Sequence, residues 1–159
     1  GQGFNLTSPL QLANLYSALL NGGRFPLPRI NKNTKIIYTG NSYEPNYQKI
    51  LINALNAAVQ EPTGTAFKLN NIHPNFVKIG GKTGTSQVVR IKEEEREDDL
   101  YKSKEIEARF KDHSVFVGYA PLDNPKYIAC VIIENGGSGS SVAAPIAHKA
   151  LNFAHKYNV

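Results

Sequence analysis

Ile79-Gly80-Gly81-Lys82-Thr83-Gly84-Thr85-Ser86 decides how this chain is read. The stretch predicts a strand over roughly 77–91. Alternate residues of a strand share a face, so Thr83 and Thr85 present their hydroxyls together. Gly84 between them has no Cβ and lets a second backbone approach closely. Lys82 adds positive charge two residues earlier. A phosphate-binding loop also ends in Gly-Lys-Thr, but it needs a glycine five residues before Gly81. That position is Phe76, and His73-Pro74-Asn75 before it makes no glycine cradle.

The surroundings bound what the strand can belong to. At 159 residues and 17.5 kDa the chain is one domain or part of one, with an ordinary 41% of hydrophobic residues. No apolar run reaches bilayer-spanning length. Gly1-Gln2-Gly3 reads as the interior of a longer protein. The one cysteine, Cys130, cannot form an internal disulfide and reads as a buried small hydrophobe. The net charge is +5, unevenly spread. Residues 90–112 hold seven Lys/Arg against nine Asp/Glu, leaving eleven against four elsewhere. The basic remainder suits an anionic partner, but its charges are scattered and lack interleaved aromatics, so no nucleic-acid surface is expected. The charged stretch 91–112 reads as a solvated loop or short exposed helix.

Outward from the Lys82 strand, Thr7-Ser8-Pro9 starts a helix that Asn21-Gly22-Gly23 stops. Two prolines keep 24–29 extended. A short strand is expected within 33–39 and a second helix from Glu44 to Gln60, broken at Glu61-Pro62-Thr63-Gly64. Residues 114–119 and 127–133 read as a hairpin joined at Pro121–Pro125. A last helix follows Gly136–Ser141. The order predicts an α+β fold: an antiparallel sheet flanked by helices.

Four ordered segments together resemble the transpeptidase domain of class B penicillin-binding proteins. They are Gly1-Gln2-Gly3 with Thr7-Ser8-Pro9-Leu10-Gln11-Leu12-Ala13 and Asn21-Gly22-Gly23; Gly64-Thr65-Ala66; Gly81-Lys82-Thr83-Gly84-Thr85-Ser86-Gln87; and Phe116–Pro121 with Glu134-Asn135-Gly136-Gly137. The turn from Glu134 to Ser141 favours the members that serve rod-shape elongation. The resemblance covers nearly all of residues 1–159 except 91–112. It implies part of a penicillin-binding protein or serine β-lactamase type of fold, and a peptidoglycan D,D-transpeptidase that also binds β-lactams. Lys82, Thr83, Gly84 and Thr85 would bind the D-Ala-D-Ala stem peptide. Lys82 would assist catalysis, and the Thr85 N–H would be one oxyanion donor. No cofactor and no metal is implied. Location would be the periplasmic face of the bacterial inner membrane, with elongation-complex proteins as partners.

The family's nucleophile stands in S-x-x-K and a second polar group in S-x-N. No serine in this sequence fits either pattern. The chain therefore reads as the C-terminal portion of a transpeptidase domain, with the N-terminal half of that domain as its partner. The alternative is a catalytically inert module that binds cell-wall peptide or a protein partner. A β-lactamase or sensor relative is a third reading, opposed by the G-Q-G…N-G-G helix. Ser138, Ser140 and Ser141 read as a flexible turn, and the G-x-S-x-G pattern fails because position 140 is serine. His148 and His155, seven apart on the last helix, read as surface residues; His73 and His113 show no partner pattern.

Overall fold

The computed structural model describes residues 5–88 and 111–158. The elements are α1 (Pro9–Leu20), β1 (Phe25–Pro26), β2 (Tyr38–Thr39), α2 (Pro45–Gln60), α3 (Leu69–Ile72), β3 (Gly80–Ser86), β4 (His113–Ala120), β5 (Tyr127–Ile133), a π-helical turn (Gly139–Ala143) and α4 (Ala144–Tyr157). The α+β class is as expected. The single turn α3 is an addition, being too short for hydrophobic periodicity to reveal.

Local chemistry explains the boundaries. Ser8 Oγ accepts the Gln11 N–H at 3.2 Å, and Gln11 Oε1 accepts the Ser8 N–H at 2.8 Å. This reciprocal capping, with Pro9 at the first helical position, starts α1. Gly22 and Gly23, at φ +69° and +96°, end it. β1 and β2 pair over only two residues, fewer than expected for 33–39. Pro26 and Pro28 bring no N–H to such a ladder, which keeps it short.

The main sheet is antiparallel in the order β3-β4-β5, running from Gly80 opposite Tyr119 to Ser86 opposite His113. The strand expected over 77–91 ends at Ser86, leaving residues 87 and 88 outside it, and starts late because its first residues are bonded elsewhere. Val77 N–H donates to Asn152 Oδ1 at 3.0 Å, and the Ile79 carbonyl accepts from Gln60 Nε2 at 2.8 Å. Residues 89–91 lie outside the described residues, as does the charged stretch up to residue 110.

Register partners share a face of the sheet. Phe116 and Ala120 pack with Ala144, Ala147 and Leu151 of α4 in the buried core. On the other face Tyr119 O–H donates to Asn56 Oδ1 of α2 at 2.5 Å. Burial pushes the Tyr119 and Tyr16 phenols up to about 12. Cys130 is half-buried rather than fully buried, because among the described residues β5 pairs on one side only and all its residues are partly exposed. Burial still raises its thiol. Leu10, Leu27, Tyr47 and Ile50 are exposed apolar side chains.

Ser114 ties the sheet to the π-helical turn. It is fully buried; its hydroxyl donates to the Ser138 carbonyl at 2.9 Å and accepts the Ala143 N–H at 3.0 Å. Ser114→Ala would leave a buried donor and acceptor unmet, so we expect a loss of about 1–3 kcal/mol. Urea unfolding checks this; an unchanged midpoint would mean that packing alone holds the turn.

Candidate active site

β3 pairs with β4 only, so its other edge is unpaired among the described residues. Residues of an antiparallel strand alternately turn both main-chain groups toward the partner and away from it. The Ile79 carbonyl is taken by Gln60, and the Thr83 carbonyl accepts from Lys82 Nζ at 3.1 Å. Both carbonyls therefore face away from β4. By the same alternation Gly81, Thr83 and Thr85 are the residues whose main-chain groups line the free edge. The Thr85 N–H stands there, available to a ligand.

Side chains complete the edge. Lys82 is exposed, with Nζ 3.5 Å from Thr83 Oγ1 as well. Thr83 Oγ1 in turn lies 3.0 Å from Thr65 Oγ1. Among the described residues no carboxylate pairs with Lys82. The result is one ammonium, two linked hydroxyls and outward main-chain donors along an accessible strand, a set matched to a carboxylate. Thr85 shares the face of Thr83, half-buried. Thr65 is the member that sequence reading did not join to the site. Its Gly64-Thr65-Ala66 turn stood out, but the contact with Thr83 spans eighteen residues of chain. Gly64 makes the contact possible, since a Cβ there would lie 2.4 Å from the Ala57 carbonyl oxygen and 2.6 Å from that of Ala58.

The remaining candidates sort differently. Ser138 Oγ and Ser140 Oγ are 3.0 Å apart at the start of the π-helical turn, with no histidine or carboxylate among the described residues bonded to them. His113 Nδ1 accepts the Asn135 N–H at 2.9 Å. His155 is exposed, as expected. His148 is not: it is 3% exposed and its Nε2 lies 2.8 Å from the Val77 carbonyl oxygen. The stripe Ala144, Ala147, Leu151 puts position 148 on the buried face of α4, a spacing that the pairing of His148 with His155 overlooked. No cluster of three metal-ligating side chains occurs among the described residues.

The penicillin binding protein transpeptidase domain model matches residues 1–152. This chain belongs to the penicillin-binding protein transpeptidase family. Among family relatives, it is 32% identical over 164 aligned positions to the peptidoglycan D,D-transpeptidase MrdA of Salmonella typhimurium strain SL1344, covering 96% of this chain and 25% of that protein. It is also 32% identical to MrdA of Haemophilus influenzae, covering all of this chain and 26% of that one. This penicillin-binding protein sequence thus spans about a quarter of the length of the curated relatives it matches. Of solved structures, it resembles Pseudomonas aeruginosa PBP2 in complex with WCK 5153 at TM-score 0.68 and 26% identity, over 98% of this chain and 32% of that one. A complex of PBP2 and MreC from Helicobacter pylori matches at TM-score 0.77 and 23% identity, over 99% and 26%. The sheet and helices described above are thereby those of the family fold.

Proposed function

We propose that residues 1–159 form the C-terminal portion of a peptidoglycan D,D-transpeptidase domain and supply its substrate-binding wall. The observation that carries this reading is the Lys82–Thr83–Thr65 cluster on the unpaired edge of β3, in a chain of this family. A D-Ala-D-Ala stem peptide would lie along β3, with its terminal carboxylate at Lys82, Thr83 and Thr85. Gly84 leaves room for the peptide backbone. The Thr85 N–H would stabilise the oxyanion formed when a serine from the N-terminal half attacks. A β-lactam would occupy the same edge. The protein would act at the periplasmic face of the bacterial inner membrane; no helix among the described residues is long and apolar enough to cross a membrane. The Helicobacter pylori neighbour is a complex with MreC, and an elongation partner of that kind belongs to the proposal.

The inert peptide-binding module is the second reading, favoured by the absence of S-x-x-K from these residues. Labelling with a fluorescent penicillin separates the two. Expected is covalent labelling of a longer parent chain carrying S-x-x-K and S-x-N, and none of residues 1–159 alone. If the parent stays unlabelled, the transpeptidase reading is wrong and the module reading replaces it. Labelling of the short chain would point to Ser138–Ser141.

A further inference from the structure

Two side chains one turn apart on α4 grip one residue of the segment leading into β3. Asn152 Oδ1 accepts the Val77 N–H at 3.0 Å, and His148 Nε2 meets the Val77 carbonyl oxygen at 2.8 Å. Together they hold both main-chain groups of Val77, as a neighbouring strand would. Val77 precedes the first paired residue, Gly80, by three positions. A carbonyl only accepts, so His148 must carry its proton on Nε2, leaving Nδ1 as the bare nitrogen of the neutral ring. Nδ1 is buried with no hydrogen-bond partner among the described residues, and so is Nε2 of His73. The His73 and His148 rings meet edge-on at 5.5 Å between centroids, and Phe76 contacts both.

We propose that His148 and Asn152 are positioning residues that set the placement of the Lys82–Thr85 edge through Val77, and that protonating His148 beside His73 loosens this clamp. The inference rests on the transpeptidase reading. Burial above all holds the His148 imidazole below the ordinary histidine range, against the opposing pull of the Val77 carbonyl and with a smaller push from His73. The titratable group facing His148 is His73, at the end of α3. On α4, Lys149 is exposed and His155 and Lys156 line the adjoining cavity; Lys78 is exposed on the clamped segment. These groups are all basic, so none of them rewards a charge on His148. A histidine depressed in the folded state contributes stability that is complete above its ordinary value, about 6.5, and lost as pH falls through the folded value.

The test is the acylation rate of the full-length parent by fluorescent penicillin, measured against pH and beside the thermal midpoint. His148→Phe should lower the rate at neutral pH roughly tenfold or more. His148→Gln, which can still donate to the Val77 carbonyl but does not titrate, should restore it and remove the extra loss seen in the unaltered protein below pH 6.5. Asn152→Leu should act like His148→Phe, and Asn152→Asp should preserve the accepting oxygen and the rate, which covers the case that His148→Phe does not fold. If the parent acylates and both His148→Phe and Asn152→Leu acylate at its rate, the clamp is wrong and the transpeptidase reading stands. If His148→Gln keeps the parent's acid loss, the protonation step is wrong. If the parent itself never labels, the transpeptidase reading fails and takes this inference with it.

Discussion

Replacing Lys82 with alanine in the full-length parent is expected, on the proposed function, to slow acylation by penicillin roughly a hundred- to a thousandfold. The same change should move folding stability by no more than about 0.5 kcal/mol. The two effects separate because of where Lys82 stands. Its side chain is exposed, and its only hydrogen bonds among the described residues are to the carbonyl and hydroxyl of the next residue, Thr83. Little packing is lost with it. What is lost is the cation at an edge otherwise lined by hydroxyls and main-chain donors. A carboxylate arriving there leaves water, and a fixed ammonium offsets that loss more strongly than a hydroxyl does. Lys82→Arg keeps the charge but spreads it over a planar fork that Thr83 does not match, so partial recovery is expected, short of the full rate. A Lys82→Ala protein that acylates at the parent's rate would show that the ammonium has no part in binding or chemistry.

Much of this arrangement was legible in the chain, and the parts that were not share a cause. Ser8, Pro9, Gly22 and Gly23 act on neighbours within five residues, so α1 could be bounded from sequence alone. The β4–β5 hairpin is equally local. That Thr83 and Thr85 share a face of β3 was readable, because a strand's period of two fixes which side chains go together. Thr65 was not, because its place beside Thr83 depends on α2 ending where Gly64 can press against the carbonyls of Ala57 and Ala58. His148 was misjudged for a similar reason. A histidine's burial is decided by what α4 packs against, and the partner, Val77, is seventy-one residues distant. The start of β3 also depends on distant partners: Val77 and Ile79 look like strand residues, yet α4 and α2 take their main-chain groups.

Gly139→Ala is expected to damage fold and site together. A Cβ at Gly139 would lie 2.5 Å from the carbonyl oxygens of both Gly84 and Val115, and 3.1 Å from the Gly84 nitrogen. These are main-chain atoms of two paired strands, so no side chain can swing aside to make room. Either the π-helical turn lifts off the sheet, straining the Ser114 bonds to Ser138 and Ala143, or β3 shifts against β4. The first route costs about 1–3 kcal/mol as overpacking does elsewhere. The second displaces Gly84, which stands between Thr83 and Thr85, and should slow acylation of the parent roughly tenfold or more. Gly137→Ala is the control. Gly137 has φ +74° with nothing within 4 Å of an added Cβ, so its replacement costs about 1–2 kcal/mol through backbone conformation. It should leave the acylation rate unchanged. The pair therefore separates a general loss of stability from a displaced strand. If Gly139→Ala and Gly137→Ala lower the unfolding midpoint alike and neither slows acylation, the π-helical turn does not support β3.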